Sequence, residues 1–430
     1  MSSGELERLV EAVPGPRSKL LAEELRTYES RNVTYLAQDF PIFWESAVGS
    51  TVEDVDGNRY IDCTAAFGVA NAGHRNSRVL EAVMQQASRL VHGMGDVHPT
   101  SIRVRLLERL AQIVPRELSK IFLASTGSEA VEAALKTAML YTGKARFAAF
   151  RNGYHGLSLG ALSVGGIERF RVPFAGALGP QALLLDYPAA HLAEASARAR
   201  EVLSDADDLA ALVVEPIQGR AGVIVPPAGY LRELRAICDE REILLIVDEI
   251  YTGFGRTGAW FAVDREGVVP DILCIGKAMG SGFPISAAVA RSHVMESWPA
   301  TTGEALHTST YLGHPLGCAA ALATIDEIER LELPARALRL EEMIRSRLGR
   351  LNARGLIVDD RGLGLLWGVQ LRSAACAFAV VTSALRNGAI FAQSGVAGDV
   401  IAISPPLVIG EEQLARALDI LEGAIEEANS

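Results

Sequence analysis

The chain has 430 residues, of which 49% are hydrophobic and 22% are charged, a composition that excludes disordered and fibrous proteins. This length exceeds the size at which one hydrophobic core stops growing, so a large domain and a smaller one are expected. The net charge of −11 disfavours nucleic acids and membrane surfaces as partners, because both reward clusters of Lys and Arg. A small-molecule partner is favoured instead.

The N-terminus and the cysteines bear on the compartment. The first residues, MSSGELERLV, are acidic where a secretory signal is basic. No apolar stretch reaches the roughly 18 to 20 residues that a membrane span requires. The five cysteines lie far apart, without the paired spacing of zinc and redox motifs, and are expected to be buried small residues. These features predict a cytoplasmic protein without a bound metal.

Residues 1–60 mix proline, charged residues and short apolar segments, and they predict an N-terminal arm with a piece of the small domain. Asp56-Gly57 is typical of a hairpin turn. From Lys120 onward, short β-rich segments alternate with longer helical ones, which indicates βαβ units and a mostly parallel sheet flanked by helices. The predicted strands are 121–124, 147–150, 182–185, 212–214, 243–247, 272–275 and 287–290.

The segments 212–214 and 243–247 are apolar throughout, as expected of strands covered on both faces. Catalytic groups should then lie just beyond the carboxyl ends of these strands. After His314 one long helical pattern runs toward Leu351. The predicted fold class is therefore α/β, with a large domain over 61–325 and a smaller α+β domain over 326–430.

Two motifs rich in small residues follow predicted strands. The first, S-T-G-S-E-A at 125–130, leads into a helix expected to reach about Thr142, so its backbone N–H groups favour a phosphate. Ordinary helix capping by Ser and Thr is the alternative. The second, N-G-Y-H-G at 152–156, could place an aromatic ring flat against a planar ligand, and a simple turn with a partly buried aromatic residue is the alternative. A metal site at His155 is rejected, because no histidine or carboxylate stands at ligand spacing from it.

Asp248 and Lys277 close two further strands. Asp248 ends the apolar segment I-L-L-I-V-D, and a buried carboxylate there requires a partner, such as a protonated pyridine nitrogen, a helix N-terminus or a local ion pair. Lys277 ends D-I-L-C-I-G-K before a glycine-rich loop. A lysine held there can lose its proton by desolvation and attack an aldehyde. The four features, in this order, are what one cofactor would need.

Two nucleotide-binding motifs are rejected. G-F-G-R-T-G at 253–258 matches a dinucleotide fingerprint, but the preceding strand ends several residues earlier and no clear helix follows. Gly276-Lys277 lacks the earlier glycine of a phosphate loop, because position 271 is Asp.

Taken together, the motifs resemble those of the class III aminotransferases, the pyridoxal-phosphate-dependent family of the ornithine and 4-aminobutyrate enzymes, from about Tyr35 to the end of the chain. Besides S-T-G-S-E-A and Y-H-G, the matching motifs are Y-I-D-C-T at Tyr60, A-G-H-R-N at Ala72, V-E-P-I-Q-G at Val214, D-E-I-Y-T-G-F-G-R-T-G at Asp248, G-K-A-M-G-S-G-F-P at Gly276, H-T-S-T-Y-L-G-H-P-L at His307 and S-P-P-L at Ser404.

The resemblance implies a fold type I homodimer with pyridoxal 5'-phosphate at the subunit interface. By motif position it implies that Gly127 and Ser128 contact the phosphate and that Tyr154 stacks on the ring. It likewise implies that Asp248 pairs with the pyridine nitrogen and that Lys277 carries the cofactor as a Schiff base. The implied reaction is transamination between an amine or amino acid donor and a 2-oxo acid, aldehyde or ketone acceptor.

Two positions take their roles from the resemblance alone. Thr310 would reach the phosphate of the neighbouring subunit. Tyr251 stands where many members carry Gln beside the ring hydroxyl, so that contact is changed or is made by a phenol.

The departures from the family concern the substrate. Members that bind 4-aminobutyrate often carry an arginine where this chain has Leu157, and members that act on ornithine or 4-aminobutyrate carry one where this chain has Ala402. Losing such a clamp removes a charge-assisted pair of about 1.5 to 3 kcal/mol. The donor is therefore expected to be an amine, an amino sugar or an amino acid held by an arginine not yet located, and ornithine and 4-aminobutyrate are expected to be poor donors. Glu215, which can pair with the lost arginine in such enzymes, is then free to attract a donor's ammonium.

Three other functions share this scaffold. An amino acid racemase or epimerase would use the same cofactor and the same lysine, and no sequence feature excludes it. An aminomutase is disfavoured by the G-F-G-R-T-G continuation, and a non-enzymatic binding protein is disfavoured because Lys277 is intact.

Overall fold

A seven-stranded sheet organises the computed structural model, which describes residues 6–37, 40–179, 182–189, 191–204 and 206–430. Before this sheet, the chain forms α1 (Pro16–Tyr28), β1 (Trp44–Val48), β2 (Thr51–Asp54), β3 (Arg59–Asp62), α2 (Ala65–Gly68), α3 (Ser77–Ala87) and α4 (Ser101–Ile113). The sheet and the helices between its strands are β4 (Leu118–Ala124), α5 (Gly127–Thr142), β5 (Arg146–Phe150), α6 (Leu159–Val164), α7 (Glu168–Arg171), β6 (Leu183–Leu185), α8 (Leu192–Ser204), β7 (Leu209–Val214), α9 (Tyr230–Arg241), β8 (Leu244–Asp248), β9 (Ile272–Ile275), β10 (Ser286–Arg291) and α10 (Ser292–Met295).

The rest of the chain forms α11 (Pro315–Arg330), α12 (Leu333–Ala353), β11 (Asp359–Leu363), β12 (Leu366–Gln370), α13 (Ala374–Arg386), β13 (Ala389–Ile390), β14 (Ala392–Ser394), β15 (Val400–Ile403) and α14 (Glu411–Asn429). Short 3₁₀ helices lie at Val172–Ala177, Ala262–Arg265 and Lys277–Gly280.

The central sheet has the strand order β4-β10-β9-β8-β7-β5-β6. Strands β9, β8, β7, β5 and β6 pair in parallel, and β10 runs antiparallel to both β9 and β4. All seven strands predicted from the sequence are present, which confirms the mostly parallel α/β fold. Every residue of β7 and β8 is buried, and all but Asp248 at the end of β8 are apolar, so a functional site is expected at the carboxyl ends of these strands.

Two smaller sheets surround the central one. The first has the order β1-β2-β3-β13, and β13 of the C-terminal part pairs in parallel with β3. The predicted hairpin turn at Asp56-Gly57 is confirmed between β2 and β3, with Gly57 at a φ of 86°. The second sheet has the antiparallel order β11-β12-β15-β14. The predicted domain limits at residues 60 and 325 stay predictions.

The single helix predicted from His314 to Leu351 is wrong in one respect, because the structure has two helices there. Helix α11 ends at Arg330 and α12 begins at Leu333. Glu332 between them adopts a left-handed φ of 49°. Pro334 lacks a backbone N–H and its ring would clash with the carbonyl four residues earlier, so a continuous helix cannot form.

The cysteines and the helices agree with the expectations about burial. Four cysteines are buried, Cys376 is half-buried, and no disulfide joins any of the five, all of which are described. Within the described residues, no helix combines the length and the apolarity needed to cross a membrane.

Candidate active site

One cavity of about 430 Å³ lies where several strands of the central sheet reach their carboxyl ends. Loops after β5, β7, β8 and β9 form its walls, together with the first turn of α5 and residues of β14 and β15. Its lining consists of Phe67, Thr126, Gly127, Ser128, Tyr154, His155, Gly156, Glu215, Ile217, Gly219, Arg220, Asp248, Ile250, Tyr251, Thr252, Lys277, Ala392, Gln393, Ser394 and Ala402.

The first turn of α5 forms one wall of the cavity. Thr126 caps the helix: its hydroxyl oxygen accepts a hydrogen bond from Glu129 N, and the Glu129 carboxylate accepts one from Ser125 N. The capping interpretation is confirmed, since the motif forms a capping box. Gly127 and Ser128 also line the cavity, and their contact with a phosphate stays a prediction. The dipole of this 16-residue helix makes its N-terminus favourable for an anion.

A buried ion pair lies on the floor of the cavity. His155 Nδ1 donates to Asp248 Oδ2 at 2.8 Å, and the two residues are 3% and 5% exposed. Burial lowers the pKa of His155, but the hydrogen bond and the negative charge of Asp248 outweigh it, so the pKa is raised overall. No carboxylate stands at ligand spacing from His155 along the sequence, but the fold brings the Asp248 carboxylate next to its ring.

Lys277 lies two residues after the end of β9 and lines the same cavity. Its backbone is left-handed, with a φ of 45°, and its Nζ lies 4.4 Å from the centre of the Tyr251 ring. Burial lowers the pKa of the amine; Asp248 and Glu215 oppose this effect, and the positive charge of Arg220 adds to it. The amine is therefore easier to deprotonate than an ordinary lysine.

Tyr251 fills the position expected to carry Gln. Its hydroxyl lies 3.0 Å from Ser404 Oγ. A Cβ at Gly68 or at Gly219 would lie 2.6 or 2.3 Å from the Tyr251 ring, so the two glycines leave the space that the ring occupies. The ring is thereby held in one orientation beside Lys277.

Glu215 is the first residue of the loop that follows β7. Its two carboxylate oxygens accept hydrogen bonds from Tyr154 N at 2.9 Å and from Gly219 N at 3.2 Å. Burial raises the pKa of Glu215 to about 7; His155 opposes this rise and Asp248 adds to it. Besides facing the cavity, this carboxylate therefore holds two backbone segments together.

Seven of the eight site residues predicted from the sequence line this cavity. The eighth, Thr310, is exposed and lies outside the lining. Of the two positions where family arginines are missing, Ala402 is buried in the wall, whereas Leu157 is exposed and outside it.

Two polar residues of the lining, His155 and Arg220, are not among the site residues predicted from the sequence. The N-G-Y-H-G motif allows the His155 ring against a planar ligand but does not predict its hydrogen bond with Asp248. The sequence gives no signal for Arg220, which is an exposed residue of the glycine-containing loop after β7.

Comparisons with known proteins agree on one family. The model of the class-III aminotransferases matches residues 34–425. Acetylornithine aminotransferase of Methanosarcina mazei is 39% identical over 384 residues, which cover 89% of this chain and 92% of that protein. Putrescine aminotransferase of Pectobacterium atrosepticum is 39% identical over 396 residues, covering 90% and 82%. An amine transaminase from an uncultivated Pseudomonas species, solved in its pyridoxal-phosphate-bound form, superposes with a TM-score of 0.87 at 30% identity, covering 93% and 99% of the two chains.

Proposed function

Because the chain belongs to the class-III aminotransferase family, we propose that Lys277 holds the pyridoxal phosphate of this transaminase and moves the proton of its reaction. The observation that carries the proposal is the position of Lys277. Its amine enters a cavity that also contains the Asp248 carboxylate and the N-terminus of α5. An amine, a carboxylate and an anion site in one cavity are the groups that this cofactor requires.

The lining residues fit the parts of the cofactor one by one. Gly127 and Ser128 would hold the phosphate through backbone N–H groups at the start of α5. Tyr154 would offer its ring face, and Asp248 would offer a buried carboxylate to a protonated pyridine nitrogen. The cavity volume of about 430 Å³ is ordinary for a small-molecule site.

When bound, pyridoxal phosphate supplies an aldehyde that reacts with amines and a ring that accepts electrons from the bond broken at the substrate carbon. Lys277 Nζ is the base that removes the proton from the carbon bearing the amino group. Once protonated, the same Nζ is the acid that delivers the proton. Burial lowers the pKa of Lys277, and this shift favours both roles because it brings the amine closer to the balance between its protonated and unprotonated forms.

Tyr251 and Asp248 would hold the reacting groups in place. The Tyr251 ring beside Nζ restricts the directions that the Lys277 side chain can take. The charge of Asp248 keeps a ring nitrogen protonated, and His155 compensates part of the cost of burying that charge.

An amino acid racemase would use the same lysine and return the proton to the opposite face of the substrate carbon. The relatives described above are named as aminotransferases, so they give this alternative no support.

The names of the relatives differ in the amino donor: acetylornithine carries a carboxylate, whereas putrescine does not. We propose that small amines or amino acids and 2-oxo acids are the substrates, and that Glu215 attracts the donor's ammonium.

Reduction of the purified protein with borohydride tests the role of Lys277. Peptide mapping should then find a phosphopyridoxyl group on Lys277, and Lys277→Ala should lose both the label and transamination from an amine panel to pyruvate or 2-oxoglutarate. Lys120→Ala removes a lysine from an exposed ion pair with Glu296 and serves as the control. A label on any other lysine would contradict the assignment of Lys277.

A further inference from the structure

Arg220 is placed in the cavity by a tight loop after β7. Gln218 and Ile224 pair through two backbone hydrogen bonds of 3.1 Å, which makes Arg220 part of the loop that they close. Ser394 Oγ and Gly395 N donate to the Arg220 carbonyl, each at 3.2 Å. The backbone of Arg220 is therefore held against the segment that forms the opposite part of the lining.

The close approach of this loop to the cavity depends on its neighbours. Gly219 has no side chain and lies directly against the Tyr251 ring, and its N–H donates to Glu215. Glu215 thus fixes the residue just before Arg220. The sequence E-P-I-Q-G-R follows β7 immediately, so the strand end determines where the guanidinium emerges.

The guanidinium of Arg220 is oriented by aromatic rings and not by an acid. Its central carbon lies 5.9 Å from the ring centres of both Tyr154 and Phe170, and an arginine at that distance gains a cation–π attraction. Among the described residues, no carboxylate forms an ion pair with Arg220. A pre-oriented guanidinium without an acidic partner can make a bidentate pair with an incoming carboxylate.

No other cation in the lining is free for that task. Besides Arg220, the basic residues of the lining are Lys277 and His155. The amine of Lys277 is needed for the reaction, and His155 is hydrogen-bonded to Asp248. Ala402 contributes only an apolar surface, and Leu157 lies outside the cavity. The lining thus contains one arginine, Arg220, and it comes from the loop after β7.

We propose that Arg220 is the specificity residue that binds the carboxylate of the substrate, so that amino acids and 2-oxo acids are preferred over amines and aldehydes without a carboxylate. The inference deepens the proposed function and rests on it. It revises the expectation that 4-aminobutyrate, which carries a carboxylate, is a poor donor. Donors with a second ammonium in place of the carboxylate, such as putrescine, should be poor, because like charges repel each other in a cavity.

Replacing Arg220 tests the inference in the holoenzyme. With 1-phenylethylamine as the donor, Arg220→Gln should raise KM for pyruvate or 2-oxoglutarate by roughly 10- to 100-fold, the loss expected of a charge-assisted pair. KM for butanal, an acceptor without a carboxylate, should change by less than about threefold, the range of ordinary surface substitutions. Calorimetry should show weaker binding of glutarate to the variant and no matching change for glutaramide. Arg220→Lys should recover part of the glutarate affinity.

Arg169→Gln is the matched control, because Arg169 is exposed and stacks on the same Phe170 ring but does not line the cavity. Equal effects of Arg220→Gln and Arg169→Gln on the 2-oxo acids would overturn the inference, as would equal effects on pyruvate and butanal. Cofactor absorbance and Tm identify a variant that has simply lost its fold, in which case Arg220→Lys decides. A wild-type protein that transaminates without a label on Lys277 would instead contradict the proposed function alone.

Discussion

Asp248 is a buried carboxylate whose two oxygens have different partners. Oδ2 accepts the hydrogen bond from His155, and Oδ1 accepts one from Ile250 N at 3.0 Å. Such a charge would be costly to bury without compensation. The raised pKa of His155 means that a positive charge faces Asp248 over a wider pH range than an ordinary histidine would allow.

The first prediction concerns the charge of Asp248. Asp248→Asn keeps the shape of the side chain but removes the charge that would keep a ring nitrogen protonated, so we expect kcat to fall roughly 100-fold or more. Stopped-flow spectroscopy on the holoenzyme would measure the donor half-reaction, and the Lys277 label would verify that the cofactor is still held. Near wild-type turnover would mean that Asp248 is only structural.

Glu249, the next residue along the chain, has no exposed surface and serves the fold. Its carboxylate accepts hydrogen bonds from Thr252 Oγ1, Ala262 N and Val263 N, which tie the loop after β8 together. Burial raises its pKa from 4.5 to about 7, although these three hydrogen bonds oppose the rise. The protonated form is therefore the one that burial favours.

The second prediction follows from the sign of that shift. Because the folded-state pKa lies above the unfolded value, the stabilisation by Glu249 is fully present below pH 4.5 and is lost as the pH rises through about 7. Relative to Glu249→Gln, which cannot titrate, the wild-type free energy of unfolding should decrease by roughly 3 kcal/mol across this interval. Urea denaturation at several pH values would measure it.

Glu24→Gln makes the same chemical change at an exposed residue of α1 and serves as the control. A difference between wild type and Glu249→Gln that stays constant with pH would contradict the assignment.

Secondary structure was predictable wherever burial leaves a simple pattern. Strands β7 and β8 are covered on both faces, so their sequences are continuously apolar and their positions were found. Helix α5 was found because its motif begins at a strand end. The break between α11 and α12 was missed, because Pro334 at the start of a helix does not interrupt the periodic pattern that extends on both sides.

The sequence predicted most of the residues that line the cavity but not the contacts between residues far apart in the chain. Gly127 and Ser128 begin a helix, and Glu215, Asp248 and Lys277 stand at or just after strand ends, positions that are visible in the sequence alone. The contact between His155 and Asp248 joins residues 93 positions apart, after strands separated by β7. Arg220 and Ala402 come together only because β15 and the loop after β7 meet at the cavity, which no local pattern encodes.

The loop after β5 meets the first turn of α5 at Gly156, and this contact gives the third prediction. Gly156 has a φ of 117°, and a Cβ there would lie 2.1 Å from Ser128 Oγ. Gly156→Ala must therefore displace Ser128 or strain the loop, at a cost of about 1 to 3 kcal/mol. We expect the dissociation constant for pyridoxal phosphate to rise by at least roughly tenfold, as measured by absorbance titration of the apoenzyme.

Gly143→Ala is the matched control at the other end of α5. Gly143 also has a positive φ, of 68°, but no atom lies within 4 Å of the added Cβ. Its replacement should lower the free energy of unfolding without changing cofactor affinity. Equal cofactor affinities for the two variants would show that Ser128 does not contribute to the phosphate site.

Exposed apolar residues form a surface patch next to Thr310. Leu306 and Tyr311 are 69% and 61% exposed, and Met94 and Val97 are 58% and 56% exposed. A Cβ at Gly95 would lie 2.7 Å from Leu312 O, so the two segments are neighbours. Clustered exposed apolar side chains are typical of protein interfaces. We therefore propose that this surface contacts a second copy of the chain and that Thr310 serves the partner's cavity.

The last prediction tests this arrangement by complementation. Lys277→Ala lacks the reacting amine, and Thr310→Glu places a negative charge where a phosphate would be bound, so each homodimer should be inactive. If Thr310 acts across the interface, a heterodimer of the two variants has one intact site, because the Thr310→Glu protomer keeps its own Lys277 and receives Thr310 from its partner. Equal mixing should then restore about a quarter of wild-type activity, since half of the dimers are heterodimers with one working site.

Light scattering would verify the dimer mass, and two affinity tags would isolate the heterodimer. An inactive purified heterodimer would place Thr310 in its own subunit's site, since neither cavity of such a dimer would then be complete. An active Thr310→Glu homodimer would instead place Thr310 outside the active site.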